Sequence, residues 1–118
     1  MRYMMLVYFD EQTLDEPSRE QCYGESVRLT HELSSSGHFQ AAAPLYPSST
    51  ATSVRVRDGK RLVIDGPFAE TREQLGGYYL IDAKDLDEAM DIAARIPGAK
   101  WGTIEIRPVV ELAGMPLS

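Results

Sequence analysis

A single cysteine, Cys22, is all the thiol this chain of 118 residues carries, so it can close no disulfide within itself, and a reducing cytoplasm is its expected home. Long apolar runs are also missing: "YMMLVYF" from Tyr3 is far short of the roughly 20 residues that span a bilayer as a helix. No charged start followed by an apolar stretch and a small-residue cleavage site opens the chain, so no export signal is expected. Basic runs are absent as well. The 12 Lys and Arg are scattered and outnumbered by 18 Asp and Glu, for a formal charge of -6, which excludes an electrostatic footprint for nucleic acid. The acids lack a His or Cys in ligand spacing, so neither a metal centre nor a cofactor is expected. One domain over residues 1–118 is what this length accommodates, burying roughly two thirds of the surface that its unfolded chain exposes.

What is present reads as strands alternating with helices. "RYMMLVYF" from Arg2 is aromatic, aliphatic and apolar on both faces, as expected of a central strand. From Ser18 to Ser36 the pattern turns helical. Ser18 with Gln21 fits a capping box, Cys22, Val27, Leu29 and Leu33 give a partial apolar stripe, and Gly37 supplies the stop. "HFQAAAPLYP" predicts a short strand broken at Pro44, whose missing N–H suits a sheet edge or a bulge. "TSVRVRDGKRLVID" predicts a hairpin turning at Asp58-Gly59, because that pair tolerates the positive φ of a two-residue turn. The turn fixes register, pairing Val56 with Arg61, Val54 with Val63 and Thr52 with Asp65.

"LGGYYLI" is the next strand, and "DLDEAMDIAARIPG" a second helix capped by Asp85, with Leu86, Ala89, Met90, Ala93 and Ile96 as its apolar stripe. In "WGTIEIRPVV" alternation places Trp101, Thr103, Glu105 and Arg107 on one face, and Gly102, Ile104 and Ile106 on the other. The tail after Val110 is expected to be loosely held. This order predicts an α+β fold: the ferredoxin-like split βαβ plan with an inserted β-hairpin. Two helices cover only one face of such a sheet. The other face, carrying Glu105 and Arg107, is expected to be buried by a second copy in a homodimer.

The chemistry concentrates in "DGPFAETREQLGGYYLI", Asp65 to Ile81. Together with "RYMMLVY", "TSVRVRDG", "DLDEAMDIAARIP" and "GTIEIRPV", this stretch resembles the YCII-related proteins of the DGPF branch, and the likeness covers most of the chain. The resemblance implies a dimeric α+β barrel, with two ferredoxin-like sheets face to face around a shared cleft. The wider YCII group includes a dechlorinating enzyme and carries a His and an Asp suspected of catalysis; His31 and His38 are this chain's two histidines. Some DGPF members are encoded beside extracytoplasmic-function sigma factors.

Asp65 has two readings: a catalytic carboxylate, or an acceptor of backbone N–H bonds in an Asp-Gly-Pro turn. Glu70 and Glu73 lie three apart, so a helical turn after Phe68 would bring both carboxylates to one side, facing Arg55 or Arg107. Gly76-Gly77 removes side chains where a backbone or a ligand approaches closely. Tyr78 and Tyr79 point to opposite faces, and Tyr79 is counted in the cleft. The expected site therefore comprises Asp65 as catalytic group and Arg55, Phe68, Glu70, Glu73, Tyr79 and Arg107 around a small organic ligand. Two functions stay open: proton transfer on that ligand by an isomerase- or lyase-like enzyme, or a non-catalytic binding or regulatory module linked to a sigma factor.

Overall fold

The computed structural model describes residues 1–116. Along the chain it forms β1 (Arg2–Phe9), α1 (Glu16–Ser35), β2 (Phe39–Pro44), β3 (Thr52–Arg57), β4 (Lys60–Asp65), β5 (Gln74–Asp82), α2 (Leu86–Arg95) and β6 (Gly102–Pro108). Short 3-10 turns stand at Ser48–Thr50 and Pro97–Lys100. Four strands make an antiparallel sheet in the order β2-β5-β1-β6, and β3 pairs with β4 in a separate two-stranded sheet. This is the α+β plan expected, with the hairpin inserted between β2 and β5.

Alternation along β1 sends Tyr3, Met5 and Val7 under the helices and leaves Met4, Leu6 and Tyr8 half-buried on the other side. β1 is central as expected, but only one of its faces is fully covered, because both helices pack on that face. Met5, Leu33, Ile81 and Ile96 are the most deeply buried large side chains of the core they form with Tyr3, Leu29, Tyr79 and Ile92. Glu105 and Arg107 project from the uncovered face, opposite Leu6 and Met4.

Two local expectations are corrected. Helix α1 starts before Ser18: Asp15 is the N-cap, its carboxylate accepting from the Ser18 N–H at 2.9 Å. Pro17 fits inside the first turn, where no N–H is needed, so it did not mark a boundary. In α2 the buried positions are Ala89, Ile92 and Ala93, while Leu86 and Met90 are about half exposed. The stripe is centred near Ala89 and Ile92, and positions 86 and 90 fall at its margin. Of the tail, Glu111 reaches Arg2 at 3.5 Å and Met115 closes a turn on Leu112; residues 117 and 118 lie outside the described residues.

The hairpin has the expected register, with Thr52 opposite Asp65, Val54 opposite Val63 and Val56 opposite Arg61. Asp58 and Gly59 both adopt positive φ, 52° and 72°, as a primed two-residue turn requires. Of its twelve strand residues, eleven are exposed, so it stands off the body as an arm. The radius of gyration, 16.0 Å, accordingly exceeds the about 13.5 Å of a compact chain this long.

Candidate functional site

Most residues expected in the cleft do not come together. Arg55 and Asp65 are exposed on the arm. Asp65 is followed by a turn in which Gly66, at φ 100°, donates to the Ala51 carbonyl at 2.6 Å and accepts from the Ser53 hydroxyl at 2.9 Å. Residues 66–73 form bends and no helical turn; within them the Thr71 hydroxyl donates to the Glu73 carbonyl and the Gln74 side-chain amide to the Thr71 carbonyl. Phe68 is 75% exposed and Glu70 faces solvent. Glu73 meets no arginine; its Oε1 accepts from the Thr103 hydroxyl at 3.0 Å. Arg107 is exposed on the uncovered sheet face and, among the described residues, has no ion-pair partner. On that face the Tyr8 hydroxyl lies 3.4 Å from Glu105, and partial burial, then the Glu105 charge, raise its pKa.

Tyr79 is the exception. It lines a cavity of about 370 Å³, but on the helix side of the sheet, where strand parity places it and where it is 5% exposed. Tyr78 takes the opposite face, opposite Leu6 of β1. The cavity lies between α1 and the β2–β5 half of the sheet. Its α1 wall presents Cys22, Tyr23, Ser26, Val27 and Thr30; its floor includes Phe9, Phe39, Ala42, Gly76 and Gly77. The space exists because both walls are small: one helix face of Cys, Ser and Thr stands over a patch of Ala and Gly.

Gly76-Gly77 thus does mark a close approach, though the approaching groups belong to the chain. A side chain at Gly76 would collide with the Phe9 ring, and a Cβ at Gly77 would lie 3.0 Å from the Ala43 carbonyl oxygen. The sequence signal missed was that Ser26 and Thr30 continue, four and eight residues on, the row begun by Cys22 of the predicted stripe; they read as solvated helix surface unless the facing strands are also seen to be small.

No Asp, Glu, His, Lys or Arg lines this cavity. Its polar groups are hydroxyls and one thiol. Burial pushes both the Tyr79 phenol and the Cys22 thiol above their ordinary pKa values, and hydrogen bonding with Ser26 offsets part of each shift. Both are therefore protonated near neutrality and keep a hydrogen to donate. Carboxylate-driven proton transfer has no residue here to perform it.

The histidines sit elsewhere. His31 is exposed on α1. His38, just beyond α1, places Nδ1 2.7 Å from the Ser36 hydroxyl and Nε2 3.0 Å from Glu88 Oε1. Glu88 also accepts from the Lys84 N–H at 3.0 Å, while its own N–H is capped by Asp85 at 2.9 Å. This network ties the end of α1 to the start of α2. Among the described residues, no group of three or more His, Cys, Asp or Glu is placed to hold a metal ion, and no helix is long and apolar enough to cross a membrane.

A ferredoxin-like α+β sheet with an apolar, uncharged cavity under one helix is a class of fold that by itself names no particular reaction. The model of the YCII-related domain matches residues 1–113, and the chain belongs to that family. An uncharacterised protein of Rhizobium meliloti (strain 1021) is 39% identical over 118 residues, covering 92% of each chain. Among solved structures, 5-chloro-2-hydroxyhydroquinone dehydrochlorinase (TftG) of Burkholderia phenoliruptrix AC1100, in complex with 2,5-dihydroxybenzoquinone, is similar in fold, with a TM-score of 0.56 at 12% identity over 93% of this chain and 94% of that one.

Proposed function

We propose that this protein, a DGPF-branch member of the YCII-related family by its Asp65-Gly66-Pro67-Phe68 motif, binds a small uncharged ring compound bearing hydroxyl or carbonyl groups in the cavity beneath α1. The observation that carries the reading is the lining: about 370 Å³ walled by aromatic and small apolar side chains, with Tyr79, Ser26, Thr30 and Cys22 among its polar groups. That volume falls in the range of small-molecule sites, and a few placed donors in an apolar wall orient a guest without demanding charge. The dihydroxybenzoquinone held by TftG, a protein of the same fold, shares the ring and the oxygen substituents of such a guest, although its vinylogous-acid hydroxyls ionise below neutrality.

Any turnover would draw on Tyr79 as a proton or hydrogen-bond donor to an oxygen that gains charge, since the phenol is kept protonated by burial. The protein works as a homodimer, its half-buried Met4, Leu6, Tyr78 and Leu80 covered by a second copy.

Calorimetric titration with hydroquinones, catechols and, as controls, charged benzoates tests the site. The uncharged rings should bind and the benzoates should not. Tyr79→Phe should weaken binding about tenfold, the worth of one hydrogen bond. Ala42→Phe, which fills the floor, should abolish binding with the circular dichroism unchanged. Equal affinity in wild type and both variants would remove the cavity from the function.

A further inference from the structure

The β3–β4 arm is an unusual object to expose. A lone two-stranded ribbon is marginal in water, yet this one holds Val54, Val56, Leu62, Val63 and Ile64, each between 44% and 63% exposed. Its charge is equally out of keeping with the chain. Residues 52–65 hold four of the 12 Lys and Arg but two of the 18 Asp and Glu, so the arm is net +2 and the rest of the chain net -8.

The uncovered sheet face has the matching character. Met4, Leu6, Tyr78 and Leu80 form its half-buried apolar centre, and Glu73 and Glu105 stand along its β6 side with Thr103 between them. Arg107, two residues along β6 from Glu105, and Arg2, which alternation along β1 places on this face with Nε 3.5 Å from Glu111, are cations nearby.

We propose that the β3–β4 arm is a clasp that crosses to a second copy of this chain and lies along the acidic side of that copy's uncovered sheet face. Val54, Val56 and Val63 share one face of the ribbon by register and supply its apolar contact. Arg55 and Arg61, one on each ribbon face, reach Glu73 and Glu105 of the second copy. Symmetry makes the exchange reciprocal, so each copy both gives an arm and receives one. Arg55 is thereby assigned to assembly and not to the ligand. The clasp rests on the homodimer reading, which the test separates from it.

Two double variants of the full chain serve: Arg55→Glu with Arg61→Glu on the arm, and Glu73→Arg with Glu105→Arg on the receiving face. Molar mass by light scattering over a dilution series should give a dimer for wild type and a dissociation constant raised about 100-fold or more for each variant alone, since each brings like charges together. The circular dichroism should hold, because the reversed side chains take no part in the chain's own core. Mixing the two variants should restore a dimer, as arm and face are then complementary in both directions. A wild-type dimer that neither variant weakens, or variants that weaken and do not rescue one another, would overturn the clasp and leave the homodimer standing. A wild-type monomer at all concentrations would overturn both.

Discussion

At Gly102 a side chain has nowhere to go. Its Cβ would overlap the carbonyl of Tyr8 on the neighbouring strand, which is backbone and cannot turn aside. Gly102→Ala is expected to cost about 3 kcal/mol, the upper range for overpacking, whereas Gly24→Ala, in helix α1 with open space where its methyl would stand, should gain about 0.5 to 1 kcal/mol. Urea unfolding of the two variants checks the contrast, and similar midpoints would contradict it. Neither consequence is readable from the sequence, where both are single glycines inside regular patterns. Only the register of Phe9 against Gly102 brings Tyr8 and its carbonyl close. Tyr79 shows the same limit from the other side. Period two states that it and Tyr78 part company; which of them the helices cover depends on how the whole strand is seated.

For single elements, what local chemistry decides was legible and what distant packing decides was not. The hairpin's register followed from one Asp-Gly pair, and the second helix's cap from Asp85, because turn and cap geometries are settled within a few residues. The cavity beneath α1 needed two elements far apart in sequence to be small at the same place. The acids of residues 65–73 misled for a related reason: their spacing suggested a helical turn, but side-chain bonds from Thr71 and Gln74 to the loop's own carbonyls shape its path.

The junction of α1 and α2 carries a pH signature. Glu88 is held below its ordinary value of 4.5, first by the Lys84 N–H and then by His38, and Asp82 below 3.8 by the amino group of Met1. Carboxylates depressed in the folded state stabilise it above their unfolded values and lose that contribution as pH falls through the folded ones. Melting temperature should therefore be level above about pH 5 and decline below about pH 4.5, with Glu88→Gln making the decline shallower. An unaltered slope in that variant would mean that Glu88 is no better held in the folded chain than in the unfolded one.

Considered as a whole, the molecule is a covered sheet with a thin ribbon held out from it, and its extents of 46 × 44 × 21 Å reflect that reach. The ribbon's backbone protection should then depend on association. Hydrogen exchange of amides in β3 and β4 is expected to slow as protein concentration rises through the dimer dissociation constant, while that of β1 and β5 stays constant. Exchange in the ribbon that is slow and independent of concentration would mean that it is stable by itself.

The bare ribbon also bears on how the protein fails. Both outer edges of the hairpin are unpaired, and Leu62, Val63 and Ile64 form a short β-prone run at one of them. Lys60 and Arg61 before the run and Asp65 after it are the charges that keep such a segment from stacking on its like. Protection by charge weakens with salt, so if a second copy clasps the arm the hazard is greatest in dilute protein at high ionic strength, where the arm is released and its repulsion screened. Dilution, ordinarily the remedy against aggregation, would here strip each chain of the neighbour that shields its edge.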